Sequence, residues 1–320
     1  MASSLDIKRR IRSINSTRKI TKAMEMVSAA KMRRAVSSVL GIRPYARAAW
    51  SVLTNLARVF ESSEGLGLLD VREVKSVLII VITSNRGLCG SFNAQVARKI
   101  KEEILNPEKL FVNRIGKKKL SALDGSASGG KIDFLTIGKK GEGMVRKMQK
   151  EIIAAFPDSG AFSNISEIKP IFEIVTGEYL AKKYDKVVAI YTDYVSTVVQ
   201  QTRIRQILPI SRIDIEKQIA EMDVLAKEYG LEEPKVEYKI EPSPKEVLDF
   251  IIPRLVEMQI FHAILESNAS EQSARMMAMR NATDAATEMS ADLTLAYNQV
   301  RQAKITQEIA EISAGSAALE

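Results

Sequence analysis

Residues 282–303, Ala282-Thr-Asp-Ala-Ala-Thr-Glu-Met-Ser-Ala-Asp-Leu-Thr-Leu-Ala-Tyr-Asn-Gln-Val-Arg-Gln-Ala303, decide the fold. The apolar residues Ala282, Ala286, Met289, Leu293, Ala296, Val300 and Ala303 are spaced 4-3-4-3-4-3. A mean step of 3.5 residues keeps one face of an α-helix turned toward a partner helix, so the spacing predicts a coiled-coil seam with a left-handed supercoil. Four of the seven seam residues are Ala, which would let the partner helix come close. From Lys245 to Ser313 there is one proline, Pro253, and no glycine. Ser243-Pro244-Lys-Glu246 reads as a capping box at the helix start. A helix over 243–320 would run on the order of 100 Å.

A helix that long cannot bury its apolar stripe inside a compact domain, so it needs a second one, in this chain or in an outside partner. Residues 3–62 contain no Gly or Pro except Gly41 and Pro44. Apolar residues recur at helical spacing through Ile7, Ile11, Ile14, Ile20, Met24 and Val27. The period resumes past Pro44 at Ala46, Ala49, Trp50, Leu53 and Phe60, so a bend is expected at Gly41–Pro44 and not an end. Charge favours pairing the two ends of the chain antiparallel. Residues 1–60 hold thirteen Lys/Arg against two acids, a net +11, whereas residues 245–320 hold six against eleven, a net −5.

Between these helices the period changes. Lys75–Thr83 and Lys186–Asp193 read as buried strands, Lys131–Ile137 as another, and Thr197–Leu208 as a hairpin neighbour of Lys186–Asp193. Ser91–Leu105, Gly141–Phe156 and Pro170–Lys183 read as helices, and Lys235–Ile240 as a short edge strand. The alternation predicts an inserted Rossmann-like α/β domain over 73–241. Residues 106–130, ending in a Gly/Ser-rich tail, read as an inserted surface loop. The domains expected are thus an N-terminal helix over 1–62, the α/β domain, and a C-terminal helix over 243–320.

Composition limits the chemistry. The chain has 320 residues, 46% apolar, with a net charge of +8, one Cys and one His. That excludes a disulfide scaffold, a zinc cluster and most His-based catalysis. No apolar run exceeds Val77–Ile82, far below the roughly 20 residues of a spanning helix. The first residues lack the apolar block of a signal peptide and run straight into the helical pattern. Gly125-Ser-Ala-Ser-Gly-Gly-Lys-Ile132 nearly fits a phosphate loop, but Ile132 stands where a hydroxyl should hold Mg²⁺, and a strand follows where a helix should. Gly87-Leu-Cys-Gly90 reads as a tight strand-to-helix turn with Cys89 as a small buried side chain. His262, between Phe261 and Ala263 in mid-helix, reads as a structural histidine. Met24, Met26, Met32, Met276, Met277, Met279 and Met289 stand in the terminal helices, where soft side chains suit either adaptable packing or a surface that repacks against changing neighbours. A DNA-reading module would account for the basic first helix, but not for its apolar stripes or the acidic last helix. A nucleotide enzyme would need a phosphate fingerprint that is not present.

Four stretches carry a resemblance. They are Ile11–Met32 (IRSINSTRKITKAMEMVSAAKM), Thr83–Asn93 (TSNRGLCGSFN), Ala269–Asp284 (ASEQSARMMAMRNATD) and Tyr297–Ile312 (YNQVRQAKITQEIAEI). In order and over nearly the whole chain they resemble the gamma subunit family of F-type ATP synthases. The sequence departs from the family pattern at Ser84-Asn85-Arg86, where Ser-Asp-Arg is usual, at Gly315-Ser316, where Gly-Ala is usual, and in the insertion near 106–130. The resemblance implies a non-catalytic rotor stalk of a proton-translocating enzyme with no cofactor or metal of its own. Its partners would be the alpha, beta, epsilon and delta subunits and the c-ring. It implies no nucleic acid, and membrane association through the complex alone, on the cytoplasmic face of a bacterial inner membrane. Arg301, Gln302 and Thr306 match positions that bind beta-subunit loops in the family. Met24 matches a shaft position facing beta, and Lys31 lies on the same basic stretch.

Overall fold

The computed structural model describes residues 4–57, 67–69, 72–115, 118–120, 130–157, 164–210 and 244–317. They fall into two compact units, Met1–Ala29 with Arg275–Glu320, and Ala30–Ala274. Two long helices contribute to both, α1 (Ser4–Ala57) and the last helix (Pro244–Ala317). The helix α1 runs through Pro44 without ending there. Pro244 opens the last helix, where its missing N–H costs nothing. The expected cap Ser243 and strand Lys235–Ile240 lie outside the described residues.

The larger unit is built on a five-stranded sheet. Its strands are β1 (Ser76–Ile82), β4 (Lys131–Ile137), β5 (Ile152–Phe156), β6 (Lys186–Tyr194) and β7 (Gln200–Leu208), in the order β5-β4-β1-β6-β7. The first four are parallel and β7 is antiparallel to β6. Parallel neighbours need a crossover. These contain α2 (Phe92–Leu105), α3 (Lys139–Lys147) and α4 (Lys169–Leu180). Central β1 is covered on both faces, and this is why Val77–Ile82 is an unbroken apolar run. Val77, Ile79 and Val81 pack with Val96 and Ile100 of α2, Phe134 of β4 and Val188 and Ile190 of β6.

Two expectations are corrected. Gly141–Phe156 is not one helix. The helix α3 stops at Lys147, Gln149 turns the chain at φ 55°, and Ile152-Ile-Ala-Ala-Phe156 becomes the edge strand β5. A short apolar run carries no period that separates helix from strand, and pairing with β4 decided it. Residues 106–130 are not all surface loop either. Leu110 and Phe111 are buried in the core cluster. They lead into a hairpin, β2 (Asn113–Ile115) with β3 (Lys118–Leu120), that forms a separate two-stranded sheet. The Val112 carbonyl accepts a 2.7 Å bond from the buried Lys186 ammonium.

At the amino edge of the sheet the Tyr184 hydroxyl donates to Asp133, which also pairs with Lys131 at 2.8 Å. Burial, then this carboxylate, push the Tyr184 phenol well above its ordinary value. The folded chain therefore keeps a proton that the unfolded chain releases near pH ~10, so this contribution to stability is full below that pH and declines above it. Each such proton costs at most about 1.4 kcal/mol per pH unit. Denaturant midpoints measured across the alkaline range should fall less steeply for Tyr184→Phe than for the parent chain. Equal slopes would contradict the assignment.

Candidate functional site

In the smaller unit, residues 4–29 of α1 pair with residues 275–300 of the last helix (Pro244–Ala317), here α5. Along α1, Ile7, Thr21 and Ser28 are buried at multiples of seven residues, with Ile11, Ile14, Arg18 and Glu25 partly covered between them. Two polar pairs join the helices. The Thr283 hydroxyl lies 2.8 Å from Thr21 Oγ1 and donates to it, and Thr21 donates to the Arg18 carbonyl at 3.1 Å. The Ser290 hydroxyl donates to Asn15 Oδ1 at 3.3 Å. One pair joins 21 to 283 and the other 15 to 290, so the helices run antiparallel.

The predicted seam residues are placed unequally. Ala286 is buried, and Ala282, Leu293, Ala296 and Val300 are partly covered. Met289 is 53% exposed and Ala303 is exposed. The covered face instead follows Met279, Thr283, Ala286, Ser290, Leu293, Tyr297 and Val300. A period built on apolar residues assigned Met289 to a position that Ser290 occupies. The missed signal is polar: Thr283, Ser290 and Tyr297 also recur every seven residues.

The predicted partner-binding residues lie on the helix surface. Arg301, Gln302 and Thr306 are exposed, and Gln302 and Thr306 share a face one turn apart, the Thr306 hydroxyl donating to the Gln302 carbonyl at 3.0 Å. Every residue from Arg301 to Ala314 is exposed. An apolar stripe, Ile305, Ile309 and Ile312, runs along this stretch. Met24 is partly covered. Lys31, exposed on the continuation of α1, belongs to the larger unit. The ion pairs here, Lys22–Glu25 and Lys304–Glu308, lie at the surface with their lysines exposed and hold little energy.

The larger unit holds the glycine-rich turn and a buried polar cluster. Leu88 and Gly90 take φ of 63° and 56°, and the turn delivers the chain into α2. Cys89 is buried there, and Asn93 Nδ2 lies 3.2 Å from its sulfur and 2.7 Å from Ser84 Oγ. On β6 and β7, Asp193 pairs with Arg203 at 2.9 Å, and Arg205 lies over the Tyr191 ring at 5.7 Å. Burial first, and the nearby acids Asp193 and Glu266, push the Tyr191 phenol up against the opposing pull of Arg205. His262 is 1% exposed with Nδ1 3.5 Å from Glu266. Among the described residues no group of three or more His, Cys, Asp or Glu is placed to hold a metal. Among them, too, no helix is long and apolar enough to cross a membrane.

The family model for ATP synthase matches residues 3–319. The ATP synthase gamma chain of Roseiflexus castenholzii is 40% identical over 320 residues, spanning 100% of this chain and 99% of that one. The chain belongs to the ATP synthase gamma chain family. The gamma chain of Chloroflexus aurantiacus is also 40% identical, over 328 residues covering 100% of this chain and 99% of that one. Solved structures share the fold. A chain of the Euglena gracilis mitochondrial ATP synthase, in a structure of OSCP, F1 and c-ring, aligns at a TM-score of 0.62 and 18% identity, covering 99% of this chain and 94% of that one. A chain from the central stalk and c-ring of the Tetrahymena thermophila enzyme aligns at 0.54 and 23%, covering 82% and 99%. Gamma chains are components of the ATP synthase complex and form the central-stalk rotor of F-type enzymes.

Proposed function

We propose that this gamma chain is the rotating central stalk of a proton-translocating F-type ATP synthase, not catalytic by itself, which transmits rotation of the c-ring to the three beta-subunit sites. The helices over 1–62 and 243–320 act as an antiparallel coiled-coil shaft within the ring of alpha and beta subunits. The Rossmann-like domain over 73–241 acts as the foot, meeting the c-ring and epsilon, with delta elsewhere in the complex. The chain reaches the cytoplasmic face of a bacterial inner membrane through that complex.

One observation carries the reading. From Arg301 to Ala314 the last helix is exposed at every residue, although Ile305, Ile309 and Ile312 line one side of it. An apolar stripe beside polar Arg301, Gln302 and Thr306 suits a surface that meets protein neighbours. A two-helix shaft has no threefold symmetry, so three equivalent partners meet three different faces at any instant. Each face favours one partner conformation, and such differential contact is what shifts a population. The basic α1 suits acidic loops on the partners.

The test is reconstitution. The chain should co-purify with alpha and beta subunits and raise their ATPase activity. No association, or association without effect on turnover, would overturn the proposal. A narrower prediction concerns Met24. Met24→Lys places a charge at a sliding contact, so ATP-driven proton pumping should fall several-fold per ATP hydrolysed while hydrolysis continues. Unchanged pumping per ATP would remove Met24 from the contact surface.

A further inference from the structure

We infer that the pairs Thr21–Thr283 and Asn15–Ser290 are positioning residues that set the axial register of the two helices. On the reading above, they thereby set the height at which Arg301, Gln302 and Thr306 meet the partner subunits. In the stretch that carries the two pairs, the covered residues of α5 are small, Thr283, Ala286 and Ser290, with larger Met279 and Leu293 at either end. Facing it on α1 are Thr21 and Asn15. Small side chains interlock weakly along the axis, so apolar packing alone distinguishes poorly between one alignment and the next. The polar pairs do distinguish.

Sliding one helix by seven residues would bring Thr283 opposite Ile14 with Ser290 opposite Lys8, or Thr283 opposite Ser28 with Ser290 opposite Lys22. Neither slide keeps both polar pairs. Thr283 can also donate within its own helix, since the Met279 carbonyl lies 2.8 Å away. A slid alignment therefore leaves no stranded hydroxyl at Thr283; toward Ile14 it loses both bonds between the helices, and toward Ser28 it exchanges Thr21 for Ser28 but takes Ser290 away from Asn15. Polar residues within a helical seam have this registering role elsewhere.

The experiment uses the full chain with Cys89→Ser and spin labels at Arg12→Cys and Asp284→Cys, two exposed positions well offset along the axis. Dipolar distance measurements should give one narrow distance. With Thr283→Val and Ser290→Ala together, a second population should appear, displaced by about 5 Å for one turn or about 10 Å for seven residues. Thr283→Ser with Ser290→Thr should restore the single distance. One unchanged narrow distance in the double variant would overturn the inference. If the double variant loses helix content by circular dichroism, Ser290→Ala alone decides, by gaining the second population or by keeping one distance. Proton pumping per ATP in the assembled complex separates the two layers. A shifted distance with unchanged pumping leaves the register role standing and removes its link to the partner contacts. A shifted distance with reduced pumping supports both.

Discussion

Gly138→Ala is expected to destabilise the α/β unit by about 4 kcal/mol, in the range where single substitutions become exceptional. Gly138 joins β4 to α3 at φ 98° and ψ 136°, a conformation open to glycine and strained for any L side chain. An added Cβ would stand 2.2 Å from the Thr83 carbonyl oxygen and 2.8 Å from its carbon. Both are backbone atoms, so no side-chain rotation relieves the overlap. The chain cannot swing away cheaply. The Gly138 N–H donates to the Phe156 carbonyl at 2.8 Å, Lys140 N–H to the Ser84 carbonyl at 3.1 Å and Gly141 N–H to Thr83 Oγ1 at 2.7 Å. Backbone strain of this kind costs about 1–3 kcal/mol before the clash is counted. Gly143 is the control. It lies inside α3 with nothing within 4 Å of an added Cβ. Gly143→Ala should be neutral or stabilising by up to about 1 kcal/mol through helix propensity. Denaturant midpoints of the two variants beside the parent decide the matter, and equal midpoints would refute the account of Gly138.

The second large effect is on activity. With Arg301, Gln302 and Thr306 all changed to alanine, the chain should fold as before and assemble into a slow enzyme. Its own stability should hold because the three side chains are exposed and the one bond seen among them, Thr306 to the Gln302 carbonyl, lies on the helix surface. Each partner bond lost is worth about 1 kcal/mol, so the three together amount to about 3 kcal/mol. If they form only as the beta sites change state, ATPase turnover should fall by roughly a hundredfold. The Gln302→Ala, Thr306→Ala pair should give about 2 kcal/mol of that, roughly thirtyfold. A normal turnover rate in a complex of normal stoichiometry would rule these residues out as partner contacts.

Much of this molecule was legible in its sequence where one period or one buried run dominates. Val77–Ile82 reads as a strand because burial on both faces leaves no room for polar residues, and Val187–Ile190 carries Lys186–Asp193 in the same way. The terminal helices read as helices because their apolar period persists past single prolines. The reading failed where tertiary context outvoted local pattern. Ile152–Phe156 is too short to show a period, and its neighbour β4 assigned it. Leu110 and Phe111 looked like loop residues because glycines and lysines surround them, yet they fill the core. In the paired helices the apolar heptad missed the true face at Met289, because Thr283 and Ser290 carry part of the contact through hydroxyl groups.

The smaller unit joins the two ends of the chain: Thr21 meets Thr283 across 262 residues. On a ribosome adding roughly 5–20 residues per second, the nascent α1 therefore waits about 10–50 s before its mate has been made. Throughout that interval its apolar stripe is uncovered, which invites aggregation. The thirteen cations against two acids in residues 1–60 then have a second use. They keep the waiting helix soluble by mutual repulsion and by hydration. Late arrival of an acidic helix would then remove that repulsion at the moment of docking.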